Sequence, residues 1–367
     1  MDTAAGPPPR RRGLQTAVCR GAALLALAAG ACTQLPPGTL LIAEQGSFMA
    51  GGGLTTRTGV YDPRHPHADA GQTRRGDHAY AFYQIPVSPR PYPLVFEHGL
   101  GQSARTWETT PDGREGFQNL FLRRGFAVYL IDQPRRGRAA RSLSPTAPEQ
   151  AHDEQLWFNR SRLGVWPDYF AGVQFPRDEA SLDQFFRQMV PSTGPRDLEL
   201  YADGVAAVLE RSGPAILVTH SQGGAVGWLT AQRSDRVRAI VAFEPGGAFP
   251  FTAAENPDQR PTESGHGETR IVEEEELQAY TRIPIVIYYG DNLGDWVANT
   301  HEQEQWRRRK TLAGQWAAAI NFRGGDVSVV HLPTVGLHGN THFMMSDLNN
   351  EQVAELMAQW LHERGLD

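Results

Sequence analysis

The chain has 367 residues, 40% of them hydrophobic and 21% charged, with a formal net charge of −6. That composition is globular and leaves room for one large α/β domain or two small ones. The mild acidity gives no reason to expect nucleic acid as a partner, and no internal apolar run reaches the length of a membrane span, about 18 residues.

Residues 1–35 read as an export signal and linker rather than as part of the fold. Arg10-Arg11-Arg12 precede an Ala/Leu-rich run over residues 22–29, and Gly30-Ala31-Cys32 follows. A basic start, a short apolar stretch and small residues before a cleavage point are the features of such a signal. Arg11-Arg12 also fits a twin-arginine signal. Ala29-Gly30-Ala31-Cys32 is similar to a lipobox, so Cys32 is a candidate lipid attachment point and a possible tie to the membrane. Cys19 and Cys32 are the only cysteines. With Cys19 inside the signal, the mature chain is expected to have no internal disulfide and no thiolate metal site.

Residues 36–367 carry the domain. Residues 40–50 and 78–87 read as strands, with a polar, Gly- and Pro-rich loop over 55–77 between them. The first buried-type strand, 93–97, runs into His98-Gly99-Leu100-Gly101-Gln102. A helix is expected over 116–124 and the next strand over 126–131, followed by the tight basic turn Asp132-Gln133-Pro134-Arg135-Arg136-Gly137-Arg138. From about 139 to 195 periodicity breaks down, and Trp157, Phe158, Trp166, Tyr169, Phe170, Phe175, Phe185 and Phe186 lie among polar and Pro residues. A stretch this long is usually functional. It reads as an inserted cap whose aromatics either form its own core or line an apolar cleft. A helix over 198–211 follows.

The centre of the pattern is Ile216-Leu217-Val218-Thr219-His220-Ser221-Gln222-Gly223-Gly224. A β-branched strand ends in a sharp turn, and helix formers follow over 225–232. Strand, turn and helix are the context of a nucleophile elbow, which lifts the Ser221 hydroxyl above the end of a parallel strand. Thr219 stands where the first Gly of G-x-S-x-G is usual. Beyond it, strands are expected over 237–243, 283–289 and 327–331. A polar loop spans 249–269, and the acidic run 273–276 reads as a solvated helix face. Trp306-Arg307-Arg308-Arg309-Lys310 falls in an amphipathic helix with no special role. A closing helix over 351–362 has Val353, Leu356, Met357, Trp360 and Leu361 at helical spacing. Strands alternating with helices at these intervals predict a mostly parallel central sheet flanked by helices.

Serine needs a base to take its proton and an acid to orient that base. After Ser221, Glu244 ends the next strand, Asp291 and Asp295 follow the strand after it, and His338 and His342 follow the last. His342, in a Gly-Asn-Thr-His turn, is the better placed base, and His338 reads as a loop residue. For the acid, Asp291 and Asp295 sit at the commoner position and Glu244 one strand earlier. The backbone N–H groups of Leu100 and Gln222 are the candidate donors to an oxyanion.

Seven segments together carry a resemblance: His98-Gly99, residues 106–114, Ile131-Asp132-Gln133, Gly137-Arg138, His220-Ser221-Gln222-Gly223, Phe243-Glu244-Pro245 and Gly339-Asn340-Thr341-His342-Phe343-Met344-Met345. The chain resembles a family of exported bacterial serine esterases of the α/β-hydrolase fold with a Ser-His-Glu triad. The resemblance implies Ser221, His342 and Glu244 as the triad, and Leu100 and Gln222 as oxyanion donors. Some members carry a Cys-Cys pair after His-Gly, where this chain has Leu100-Gly101. The implied activity is hydrolysis of a small-molecule carboxylic ester with an apolar or aromatic group, without metal or organic cofactor. Acyl transfer on the same residues, and apolar-ligand binding without catalysis in the cell envelope, are the alternatives.

Overall fold

In the computed structural model eight strands form one sheet. They are β1 (Ile42–Ala50), β2 (Ala79–Pro86), β3 (Leu94–Glu97), β4 (Val128–Asp132), β5 (Ala215–His220), β6 (Val237–Phe243), β7 (Pro284–Tyr289) and β8 (Asp326–His331). The structure describes residues 36, 38–150, 153–257, 267–293 and 300–367. The expected export signal with Cys19 and Cys32 lies outside the described residues, and so does Asp295. Among the described residues no helix is long and apolar enough to cross a membrane.

The spatial order is β1-β2-β4-β3-β5-β6-β7-β8. Only β2 runs against its neighbours, pairing antiparallel with β1 and β4, and every other pairing in the sheet is parallel. This is the mostly parallel sheet expected from the strand–helix alternation. The central strands read as continuous apolar runs because both faces are covered. Along β5 the two-residue period of a strand divides the side chains between two cores. Ala215 and Leu217 join Val226, Trp228 and Trp316 on one face, whereas Ile216 and Val218 join Trp107, Phe117 and Phe343 on the other. Each large apolar side chain taken fully out of water stabilises the fold by about 1.5–3 kcal/mol.

Helices follow from the same patterning. α1 (Phe117–Arg123), α2 (Glu154–Arg160), α3 (Glu179–Arg187) and α8 (Asn350–Glu363) bury their apolar residues in the second core. α4 (Leu198–Ser212), α5 (Gln222–Arg233), α6 (Glu274–Thr281) and α7 (His301–Phe322) bury theirs in the first. Local chemistry sets their ends. The Asp197 carboxylate accepts from the Leu200 N–H at 3.0 Å to start α4, and Gly213 at φ 78° ends it. Thr300 and Gln303 form a capping box at the start of α7.

Three stretches differ from the sequence reading. Part of the 55–77 loop is a two-stranded hairpin, Gly53–Thr56 with Thr73–Gly76. It is almost wholly exposed and so leaves no hydrophobic alternation to read. In the 249–269 loop the buried Phe249–Phe251 pairs in parallel with Thr269–Ile271. The aromatic stretch 139–195 holds α2, a short hairpin (Gly164–Val165 with Asp168–Tyr169) and α3. Of its aromatics, Trp157, Phe158, Phe175 and Phe185 are core residues shared with the main body, and the Phe185 ring meets Phe343 edge-on at 5.0 Å. Trp166 is 38% exposed. The choice between a core and a cleft lining therefore falls mainly on core.

Candidate active site

In an open parallel sheet, ligands bind outside the C-terminal strand ends where the strand order reverses. Here that point lies between β3 and β5, and the loops carrying Leu100 and Ser221 leave it. The turn after β5 places Ser221 at φ 55°, ψ −122°, a conformation that L residues rarely adopt. Neighbouring hydrogen bonds hold it there: the Ser221 N–H donates to the Phe243 carbonyl at 3.0 Å, and the Gly246 N–H donates to the Ser221 carbonyl at 2.7 Å. Glycine is required close by. A Cβ on Gly99 would lie 2.7 Å from the Ser221 Cβ, and one on Gly224 would lie 2.4 Å from the Pro245 Cβ. Among the described residues the Ser221 hydroxyl makes no hydrogen bond, and the N–H groups of Leu100 and Gln222 donate to no protein acceptor.

Glu244 directly follows β6 at φ 44° and is fully buried. Its Oε2 lies 2.6 Å from His342 Nδ1. An ionised carboxylate only accepts, so the hydrogen sits on Nδ1 and Nε2 keeps its lone pair. His342 is 1% exposed, and its imidazole packs against two rings, Trp306 at 4.2 Å and His220 at 4.4 Å between centroids. The His342 backbone is fixed as well: its N–H donates to the Ser161 carbonyl and its carbonyl accepts from His220 Nε2, both at 2.9 Å. Burial, opposed by Glu244 and reinforced by Arg162 and Arg309, draws His342 down to about 4. For Glu244 burial acts upward, but Arg162 and the His342 contact outweigh it, and the carboxyl falls to about 2.

The other candidates stand apart from this pair. Asp291 accepts from the N–H groups of Asn292 at 2.7 Å and Gly339 at 2.8 Å, so its carboxylate braces the local turn. The His338 side chain is 69% exposed and faces Asp291 at 3.8 Å rather than Glu244. The structure thus brings together Glu244 and His342 beside the Ser221 turn and leaves Asp291 and His338 outside.

Three neighbours were not visible in the sequence reading. Arg162 of the inserted stretch is fully buried, donates from Nη1 to Glu244 Oε2 at 2.8 Å and from Nη2 to Oε1, and sits at φ 57°. Trp306 lies on the helix given no special role, and His220 belongs to the elbow motif, with no expectation that its ring would meet His342. No local pattern marks Arg162, because its partner is 82 residues away.

A second buried polar group lies under the Leu100 loop. His98 Nδ1 donates to the Gly99 carbonyl at 2.9 Å, and the Gln133 amide holds the His98 carbonyl at 2.7 Å. Arg136 Nη1 reaches both the Gly99 carbonyl, at 3.1 Å, and Gln222 Oε1, at 2.8 Å. The basic turn after β4 therefore ties together the two loops that present the Leu100 and Gln222 N–H groups.

The match to known proteins agrees with the sheet order. Residues 94–365 match the Alpha/beta hydrolase family. The chain belongs to that family. Among hydrolases of known structure, a bacterial esterase solved at atomic resolution has a TM-score of 0.72 and 29% sequence identity, covering 90% of this chain and 98% of its own. A protein described as probable secreted lipase phiG, from Fungal sp. (strain ATCC 74256), is 28% identical over 318 residues, which is 78% of this chain and 86% of the relative.

Proposed function

We propose that this alpha/beta hydrolase is an exported serine esterase that cleaves a carboxylic ester through an acyl-enzyme. Ser221 attacks the ester carbonyl, and His342 Nε2 takes its proton and later delivers it to the departing alcohol. Water, activated by the same imidazole, then attacks the acyl-enzyme and releases the acid. Glu244 holds the Nδ1–H tautomer and supports the imidazolium. The N–H groups of Leu100 and Gln222 donate to the oxyanion in both halves of the reaction.

The observation that carries this reading is the 2.6 Å contact between Glu244 and His342 Nδ1 beside a serine turn at φ 55°. The free Leu100 and Gln222 N–H groups support it, and so do the esterase and lipase relatives. The unengaged Ser221 hydroxyl is compatible with it, since catalytic hydrogen bonds in unliganded sites are often long and tighten with substrate. A small cavity beside the donor loop has a mixed lining, Leu100, Trp157 and Val190 together with Arg136, Glu149 and Ser192. Export is supported by the basic-then-apolar start of the chain and by the secreted description of the fungal relative. Whether Cys32 carries a lipid is read by intact-mass analysis, where a diacyl addition on a chain beginning at Cys32 is the positive result.

The test is a p-nitrophenyl ester chain-length series on protein lacking residues 1–31, together with a fluorophosphonate probe. Turnover and stoichiometric labelling of Ser221 are expected, and Ser221→Ala should abolish both. Labelling of another residue with Ser221 untouched would remove the reading.

A further inference from the structure

Residues 160–162 of the inserted stretch touch both members of the acid–base pair and the ring beside it. The Arg160 carbonyl accepts from Trp306 Nε1 at 3.0 Å. The Ser161 carbonyl accepts from the His342 N–H at 2.9 Å. Arg162 grips both oxygens of Glu244, and its Nε donates to the Asp291 carbonyl at 2.9 Å. Orienting an imidazole requires only a carboxylate. A guanidinium taken wholly out of water at a left-handed backbone position is costly on both counts. Its cost points to a task beyond holding the chain in place.

We propose that Arg162 is a positioning residue that sets the operating pH of the site. Paired with Glu244, it keeps that acid ionised and hydrogen-bonded to His342. Its positive charge offsets the carboxylate, so the imidazole stays neutral, and able to act as a base, in mildly acidic solution. The proposal rests on the reading of Ser221, His342 and Glu244 as a triad.

The charges around the imidazole favour this balance. Glu244 at the end of β6 is the anion in contact with it, and Arg162 neutralises that anion from the inserted stretch. Arg309 of α7 also acts on His342 but has its own partner, Glu268, at 2.7 Å. His220 on β5 is held neutral, chiefly by burial. In an ordinary triad the acid's full charge raises the basicity of the imidazole, and here Arg162 opposes that pull.

The test is kcat/KM for a neutral p-nitrophenyl ester from about pH 3.5 to 9, since this profile reports the free enzyme's base. Wild type, Arg162→Lys and Arg162→Met are compared, with circular dichroism to check folding. The wild-type acid limb should lie near 4. In Arg162→Met the unneutralised Glu244 should move that limb up by about one to three pH units, the usual effect of one nearby charge. Arg162→Lys keeps the charge, so its limb should stay near wild type while its plateau falls with the lost two-point grip. A lower plateau in Arg162→Met with an unmoved limb overturns the proposal and leaves Arg162 purely structural. If Arg162→Met does not fold, Arg162→Gln takes its place with the same expected rise; an unmoved limb again overturns the proposal, and so does a wild-type limb at the ordinary imidazole value of about 6.5. Ser221→Ala, assayed in parallel, separates the two readings. Retained turnover brings down the triad and this inference with it. Abolished turnover with an unmoved Arg162→Met limb brings down this inference alone.

Discussion

Glu244 and Glu97 are both buried glutamates at the C-terminal ends of parallel strands, 0% and 1% exposed, yet their carboxyl groups shift in opposite directions. Burial alone pushes both toward the neutral acid. At Glu97 burial prevails: the carboxyl meets the Gln133 amide through Oε1, leaves Oε2 without a partner among the described residues, and rises to about 8. At Glu244 the Arg162 guanidinium and the His342 contact reverse the outcome. What decides is a cation in two-point contact. A nearby guanidinium is not enough, because Arg136 acts on Glu97 from a distance and does not ionise it.

The comparison is broken most directly by removing the charge at each place. Glu244→Gln is expected to cost about 10⁴ in kcat, the loss seen when a triad acid becomes an amide. It should also cost about 3–5 kcal/mol of stability, because Arg162 is left buried without its partner. Chemical denaturation of Glu244→Gln and of Glu244→Gln/Arg162→Met separates the two losses. The double variant should regain most of the stability and none of the rate. A double variant that recovers turnover would contradict the role of Glu244.

Glu97→Gln should leave turnover close to wild type, since an amide replaces a carboxyl that is already neutral. Its effect should appear in stability against pH. A carboxyl raised from 4.5 to about 8 in the fold supplies stability that is present below pH 4.5 and lost as pH rises through 8. Thermal melting from about pH 5 to 9 should therefore show a shallower decline in Glu97→Gln than in wild type. An unchanged slope would mean that Glu97 is ionised in the fold. Glu244 has the opposite sign: its pairing stabilises the fold above pH 4.5, and that contribution is lost as pH falls through about 2.

Asp291→Asn should have the smallest effect on turnover. Its carboxylate serves the Asn292 and Gly339 N–H groups, and an amide oxygen can still accept from one of them. Steady-state kinetics on this variant tests the choice between the two acid positions. A loss as large as that of Glu244→Gln would move the acid to Asp291.

Much of the fold was written in short-range pattern. The apolar runs of β5 and β6 and the spacing of α8 were legible because periodicity is local, and the turn at Ser221 was marked by His-Ser-Gln-Gly-Gly. The same reading missed Phe249–Phe251, whose burial depends on helices distant in sequence, and the exposed hairpin at 53–76, which buries almost nothing. Local sequence likewise offered Glu244, Asp291 and Asp295 as acids and His338 and His342 as bases, and left the choice to a family resemblance. The tertiary structure decided which of the described residues meet: Glu244 and His342 are in contact across 98 residues, and Arg162 comes to Glu244 from a stretch with no periodic signal. A sequence records which residues can carry charge. Which of them are ionised depends on what burial places beside them, and at Glu97 and Glu244 two identical side chains were given opposite answers by their neighbours in space.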